Sequence, residues 1–173
     1  MAQARPRLAL TLGDPRGIGP EVTAAAMRAV DGVDVVVVGP EGTGVRPDEP
    51  VGSWSGGDAA EAGALAGAAI ERAAALALEG TVDGIVTAPI DKAALAAGGY
   101  AFPGHTEMLQ ALAEAPVVAM LMAAERTALG DALRVVLATT HLPLRDVPDA
   151  VTTELLVRQA RITDQGLRAG WGM

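Results

Sequence analysis

Three short apolar runs, at residues 8–12, 33–38 and 84–87, each stop abruptly at glycine, proline or a polar residue, and alanine-rich stretches lie between them. Runs of strand length with no polar alternation suit strands buried on both faces of a parallel sheet. The stretches between them are long enough for helices, so the alternation predicts an α/β fold. Helices are expected from Pro20 to about Val30, from Asp58 to Glu79 with Gly80 as the stop, from Asp91 as cap to about Ala97, from Thr106 to about Glu114, and from Ala150 to about Ala169. Residues 39–57 are rich in Gly, Pro, Ser and acidic side chains without a period, which predicts a surface loop with room for one short edge strand. Residues 117–123 and 133–138 are expected to form two further strands. The turn around Gly130 and Asp131 is short, which implies an antiparallel pair.

A chain of 173 residues is long enough for one domain with a sizeable core. Only Trp54, Tyr100, Phe102 and Trp171 are aromatic, so the core must be built from Ala, Val and Leu, which suits helices packed closely on a sheet. A net charge of -8 argues against a nucleic-acid partner, whose phosphates need clustered Lys and Arg. The absence of cysteine excludes disulfides, a thiolate nucleophile and sulfur-ligated zinc. Arg5 and Arg7 precede only five residues of apolar character before Gly13, too few for a secretory signal, and no apolar run is long enough to span a bilayer. A cytoplasmic, soluble protein with no membrane partner is therefore expected.

Polar clusters follow the strand ends, at Asp14, at Thr87 and at 139–141, as they would in a site built along one edge of a sheet. Residues 13–21, Gly-Asp-Pro-Arg-Gly-Ile-Gly-Pro-Glu, join a strand to a helix start, where backbone N–H groups can bind an anion. Their spacing fits neither the dinucleotide fingerprint nor the P-loop, and a plain structural turn is the alternative. Lys92 is expected in the first turn of the helix capped by Asp91, where a cation opposes the helix dipole. A bound anion would compensate for it; a solvated lysine is the alternative. His105 and Thr106, in Phe-Pro-Gly-His-Thr-Glu (102–107), are expected at another helix N-terminus, with a bend at Gly104. His141 closes Thr-Thr-His at a strand end. Either histidine can move a proton, bind a metal or orient a polar ligand; a helix-capping or loop-filling role is the alternative.

Together, Leu-Thr-Leu-Gly-Asp-Pro-Arg-Gly-Ile-Gly-Pro-Glu (10–21), Val-Thr-Ala-Pro-Ile-Asp-Lys (86–92), Phe-Pro-Gly-His-Thr-Glu (102–107) and Thr-Thr-His-Leu-Pro-Leu-Arg-Asp-Val (139–147) resemble, in sequence and in order, the 4-hydroxythreonine-4-phosphate dehydrogenases. The resemblance implies a fold like that of isocitrate and isopropylmalate dehydrogenases, three-layered α/β with a mixed sheet, assembled as a homodimer. It implies NAD or NADP and a divalent metal, with zinc, cobalt and magnesium all open. The implied reaction oxidises 4-phosphohydroxy-L-threonine to a 3-keto acid that decarboxylates to 3-amino-2-oxopropyl phosphate. By the same resemblance His105 and Thr106 contact the phosphorylated substrate, His141 is a metal ligand, and Asp14 and Lys92 line the site.

The chain also departs from the family pattern. It has neither an Asn-Pro-His-Ala-Gly-Glu nor a Tyr-His-Asp-Gln motif, residues 40–56 look shortened, and Asp91 stands where His or Asn is more usual. Residues 1–173 are therefore expected to form a single incomplete α/β unit matching the N-terminal half of the family, with the second half missing. Truncation of this kind would leave an apolar face exposed. A dehydrogenase for threonate or erythronate 4-phosphate, and an inactive binding module, are the other readings.

Overall fold

The structure is a computed structural model and describes residues 5–128 and 130–173. Strand β1 (Arg7–Thr11), β2 (Asp34–Glu41), β3 (Glu49–Ser53) and β4 (Gly84–Thr87) form a four-stranded sheet in the order β3-β2-β1-β4. All its pairings are parallel. The valine run of β2 supplies the sheet's most buried stretch, since β-branched side chains fit a pleated surface. The strand runs on to Glu41, beyond the expected end at 38, since the Trp54 N–H donates to the Glu41 carbonyl at 2.8 Å and prolongs the pairing with β3. The expected edge strand is β3, and Pro50 is tolerated there because an edge leaves one row of N–H groups unused.

Four helices accompany this sheet: α1 (Gly19–Ala29), α2 (Ala59–Leu78), α3 (Lys92–Ala97) and α4 (His105–Leu112). The Asp58 side chain caps α2 by accepting from the Glu61 N–H at 2.9 Å. Ala69, Ala73 and Leu76 of α2 pack on Ala9, Val36 and Val38 of the sheet, with Val82 closing the cluster. Small side chains on α2 also let α3 approach backbone to backbone. A Cβ on Gly63 would lie 1.8 Å from the Ala94 carbonyl oxygen, and one on Gly98 would lie 2.2 Å from the Ala64 nitrogen. Tyr100 covers Gly67 with its ring, and its hydroxyl donates to Glu71 at 2.9 Å. Burial and that carboxylate push the Tyr100 phenol up to about 12. The opposite sheet face is only partly covered: Leu8, Leu10, Val35 and Val86, with Met27 of α1 and Val30 at its C-cap, line an open apolar hollow of about 470 Å³.

The chain divides into two compact units, the first ending at Glu114 and the second spanning Ala115–Met173. In the second, β5 (Leu121–Ala124) and β6 (Leu133–Val136) make the expected antiparallel pair. Among the described residues the four-stranded sheet of the first unit is parallel and the two-stranded sheet of the second is antiparallel. The helix expected from Ala150 begins three residues later, after a separate single turn of helix. After a 3-10 turn at Leu144–Asp146 comes α5 (Val147–Ala150), then an extended Val151, then α6 (Thr153–Trp171). The break has a local cause: the Thr152 hydroxyl accepts from the Leu155 N–H at 3.1 Å and starts a new helix. None of the described residues of this second unit is fully buried, as expected where one helix and a two-stranded hairpin offer little to enclose a core.

Two glycine substitutions separate close packing from helix propensity. Gly63→Ala gains about 1 kcal/mol of propensity but forces a methyl into the α3 backbone, an overpacking cost of about 1–3 kcal/mol that a backbone neighbour cannot relieve by rotating. Gly166→Ala on α6 meets nothing within 4 Å and keeps the whole gain. Urea denaturation is expected to show the first variant less stable than the parent and the second more stable.

Candidate functional site

Strands β1 and β4 are neighbours, and the turns that leave their C-terminal ends are stitched together. Register runs to Thr11 opposite Thr87, then continues past both strands: the Ala88 N–H donates to the Thr11 carbonyl at 3.2 Å and the Asp14 N–H to the Pro89 carbonyl at 3.0 Å. Two glycines make this approach possible. Gly13 has φ +68, and a Cβ there would lie 2.2 Å from the Pro89 carbonyl oxygen. A Cβ on Gly19 would lie 2.1 Å from the Leu12 carbonyl oxygen, so the start of α1 also rests directly on the strand end.

The loop after β1 satisfies much of its own hydrogen bonding, in contrast to the anion-binding loop that its sequence suggests. Besides Asp14, the Gly17 N–H donates to the Asp14 carbonyl at 3.0 Å and the Arg16 N–H to Asp14 Oδ1 at 2.8 Å. The Asp14 carboxylate is almost fully buried and grips the Arg16 guanidinium at both ends, with Nε at 3.1 Å and Nη2 at 2.7 Å. The same Nη2 reaches Asp91 Oδ2 at 3.2 Å. Asp91 Oδ1 accepts from the Ala93 and Ala94 N–H groups at 2.8 and 3.1 Å, which makes it the N-cap of α3 as expected. Those two N–H groups, then the Arg16 charge, hold the Asp91 carboxyl below the usual carboxylate range. Arg16 is a member of this cluster that the sequence motifs do not single out. The Asp-Pro-Arg triplet is its signal, because an aspartate before proline favours a turn in which its side chain bonds the N–H two residues on.

Lys92 opens α3 and is exposed. Its side chain crosses to the start of α4: a Cβ on Gly104 would lie 3.7 Å from Lys92 Cε and 3.9 Å from Nζ. Gly104 is the N-cap of α4 in a fully extended conformation, without the expected bend, and no side chain caps this helix. His105 and Thr106 therefore stand in an uncapped first turn, as the sequence suggests. The His105 ring is half-buried, and its Nε2 is enclosed without a hydrogen-bond partner. Burial, and secondly the Lys92 charge, push the His105 imidazole below its ordinary range, so it is neutral near pH 7. Glu107, in the same turn, brings one carboxylate oxygen to 3.5 Å from where a Gly104 Cβ would stand. The arrangement offers an ammonium, an imidazole nitrogen, a hydroxyl and free helix-start N–H groups to a ligand with anionic and hydroxyl groups.

His141 belongs to the second unit, beyond the end of β6 at Val136, and is exposed. It holds a left-handed backbone, φ +57, uncommon for a residue with a Cβ. Among the described residues no group of three or more His, Cys, Asp or Glu side chains is placed to hold a metal ion. One imidazole does not make a metal site, so the residues present do not fit the divalent ion implied by the sequence resemblance. No helix among the described residues is long and apolar enough to cross a membrane.

Comparison with known proteins gives the same answer by three routes. The family model described as "Pyridoxal phosphate biosynthetic protein PdxA" matches residues 21–173. The 4-hydroxythreonine-4-phosphate dehydrogenase of Paracoccus denitrificans (strain Pd 1222) is 39% identical over 199 positions, covering 100% of this chain and 60% of the relative. That of Xanthomonas campestris pv. campestris (strain B100) is 36% identical, covering 97% of this chain and 59% of the relative. The crystal structure of the Klebsiella pneumoniae enzyme superposes with a TM-score of 0.80 at 32% identity, over 97% of this chain and 60% of that one. This chain thus spans about 60% of the length of the relatives it matches. The Paracoccus alignment runs over more positions than the 173 residues of this chain, so the relative carries segments this chain lacks even within the matched part. Sequence motifs, family model and superposed structures converge on one conclusion: the chain belongs to the PdxA family of pyridoxal phosphate biosynthetic proteins.

Proposed function

We propose that this chain supplies the phosphorylated-substrate contacts of a 4-hydroxythreonine-4-phosphate dehydrogenase, holding 4-phosphohydroxy-L-threonine at Lys92, His105 and Thr106. The observation that carries this reading is the enclosed, unpartnered His105 Nε2 at the uncapped start of α4, with Lys92 reaching the same point. Lys92 contributes charge to the anionic end of the substrate. Thr106 and the first N–H groups of α4 give it direction. Neutral His105 can donate or accept one hydrogen bond to a substrate oxygen, and Asp14 lines the site indirectly by fixing the turn beside it.

NAD or NADP, when bound, would supply the oxidant for this reaction, accepting a hydride from the hydroxyl-bearing carbon while the hydroxyl proton is released. The resulting 3-keto acid loses carbon dioxide and leaves 3-amino-2-oxopropyl phosphate. His141 is proposed as a single metal ligand, insufficient to hold the ion without donors from outside this chain's described residues. A homodimer acting in the cytoplasm belongs to the same proposal.

Calorimetric titration with 4-phosphohydroxy-L-threonine tests the binding reading directly. Lys92→Met and Thr106→Val are each expected to weaken binding, the first by about 10-fold for loss of a charge-assisted contact; unaltered affinity in both would sink the proposal. The chain by itself is expected to produce no NADH from this substrate with NAD and zinc or magnesium. Addition of the part of the Paracoccus protein that it does not span is expected to restore turnover. Metal-dependent NADH formation by the chain alone would mean that it assembles a site its described residues do not form.

His105 supplies a pH test. Its imidazole is expected to titrate by NMR below the ordinary histidine range, and to move upward on Lys92→Met or on adding phosphate, since each change favours the imidazolium. Because the folded value is depressed, the unfolded chain takes up this proton first. Stability is therefore expected to fall as the pH drops from the ordinary histidine value through the lower folded one, and His105→Gln should remove that part of the slope.

A further inference from the structure

We propose that Arg16 is a positioning residue for the ligand-binding turn, acting through Asp91. The inference rests on the substrate-binding reading of Lys92 and His105 and deepens it. Arg16 spans two turns: it is clamped by Asp14 on the β1 side and extends the same Nη2 to Asp91, the N-cap of α3, on the β4 side. Asp91 divides its carboxylate accordingly, Oδ1 to the Ala93 and Ala94 N–H groups and Oδ2 to Arg16. One oxygen orders the first turn of α3, from which Lys92 projects, and the other is fixed by the guanidinium. The ion pair thereby sets where Lys92 begins its path to Gly104.

Charge gives the second half of the argument. Asp14, Asp91 and Glu107 bring three carboxylates to this region, against the cations of Arg16 and Lys92. An anionic ligand approaching Lys92 meets Asp91 one residue away. Arg16, shared between Asp14 and Asp91, offsets part of that carboxylate's charge; without it, repulsion of the ligand is stronger. The planar fork of arginine suits this double engagement, and lysine cannot reproduce it. Asparagine at position 91, by contrast, can keep the cap oxygen and lose only the charge.

The test uses the full chain as Arg16→Gln, Asp91→Asn and the double variant, with two independent readouts. Amide hydrogen exchange at Ala93 and Ala94 reads the cap without any ligand. Arg16→Gln is expected to accelerate exchange there several-fold, with the amides of Val37 and Val38 unchanged as the control for folding. Affinity for inorganic phosphate reads the charge. Arg16→Gln should weaken it by about three- to five-fold, the size expected of one partly screened charge, and adding Asp91→Asn should restore it. Unchanged exchange at Ala93 and Ala94 overturns the positioning role. A loss of phosphate affinity that persists when Asp91→Asn is also present overturns action through Asp91, and shows Arg16 touching the anion itself. If the parent binds no phosphate yet exchange at the cap accelerates in Arg16→Gln, the positioning inference stands and the substrate-binding reading falls.

Discussion

The hydrogen bond from the Asp14 N–H to the Pro89 carbonyl is the contact on which the rest of the site depends. It carries the β1–β4 pairing beyond the strands and forces two turns of distant sequence into backbone contact. No side chain could be accommodated at Gly13, whose Cβ position overlaps the Pro89 oxygen. Given that contact, Asp14, Arg16 and Asp91 fall within ion-pair distance, α3 begins where Asp91 caps it, and Lys92 starts from a fixed point. The back of α3 is fixed by Gly63 and Gly98, where α2 meets it with no side chains between. Lys92 is thus a flexible side chain on a rigid base, a suitable division of labour where a ligand must be admitted and then held.

Electrostatically, the site works by partial cancellation. Buried Asp14 would be costly if unpaired, and its two contacts with the Arg16 guanidinium and one with a backbone N–H satisfy it locally. His105 takes the opposite course and stays neutral, because burial and Lys92 both disfavour its charge. A neutral imidazole beside an ammonium presents a directional hydrogen-bonding group next to a charge. The second unit contrasts with this arrangement. Its helix and hairpin enclose no fully buried residue among those described, and His141 stands exposed in a left-handed backbone with no second and third ligand side chain grouped around it.

Much of the fold is legible in the sequence because its signals are local. Valine and alanine runs, the caps at Asp58 and Asp91, the stop at Gly80 and the pair of strands around Gly130 each depend on a few neighbouring residues. The positions of Lys92, His105 and Thr106 at helix starts are legible as well. The departures have physical reasons as well. The helix expected from Ala150 starts instead at Thr153, because the Thr152 hydroxyl accepts from the Leu155 N–H and caps it there. The loop at 13–21 has the composition of an anion-binding turn, yet the N–H groups of Asp14, Arg16 and Gly17 are taken by the Pro89 carbonyl, the Asp14 carboxylate and the Asp14 carbonyl. Arg16 carries little signal in the sequence because its partner Asp91 is 75 residues away.

By itself the sequence determined which segments are strands and helices, the small-residue character of the core, and, through four ordered motifs, the family. Those properties follow from side-chain size, backbone freedom and periodicity, which act over a few residues. Only the tertiary structure decided the strand order β3-β2-β1-β4, the division into two units, and the meeting of the β1 and β4 turns. It also decided that Arg16 would join Asp14 to Asp91, and that burial, and secondly Lys92, would depress the basicity of His105. Strand order and charge coupling depend on distance in space, and residues far apart in the chain acquire a distance only when the sheet that carries them has formed.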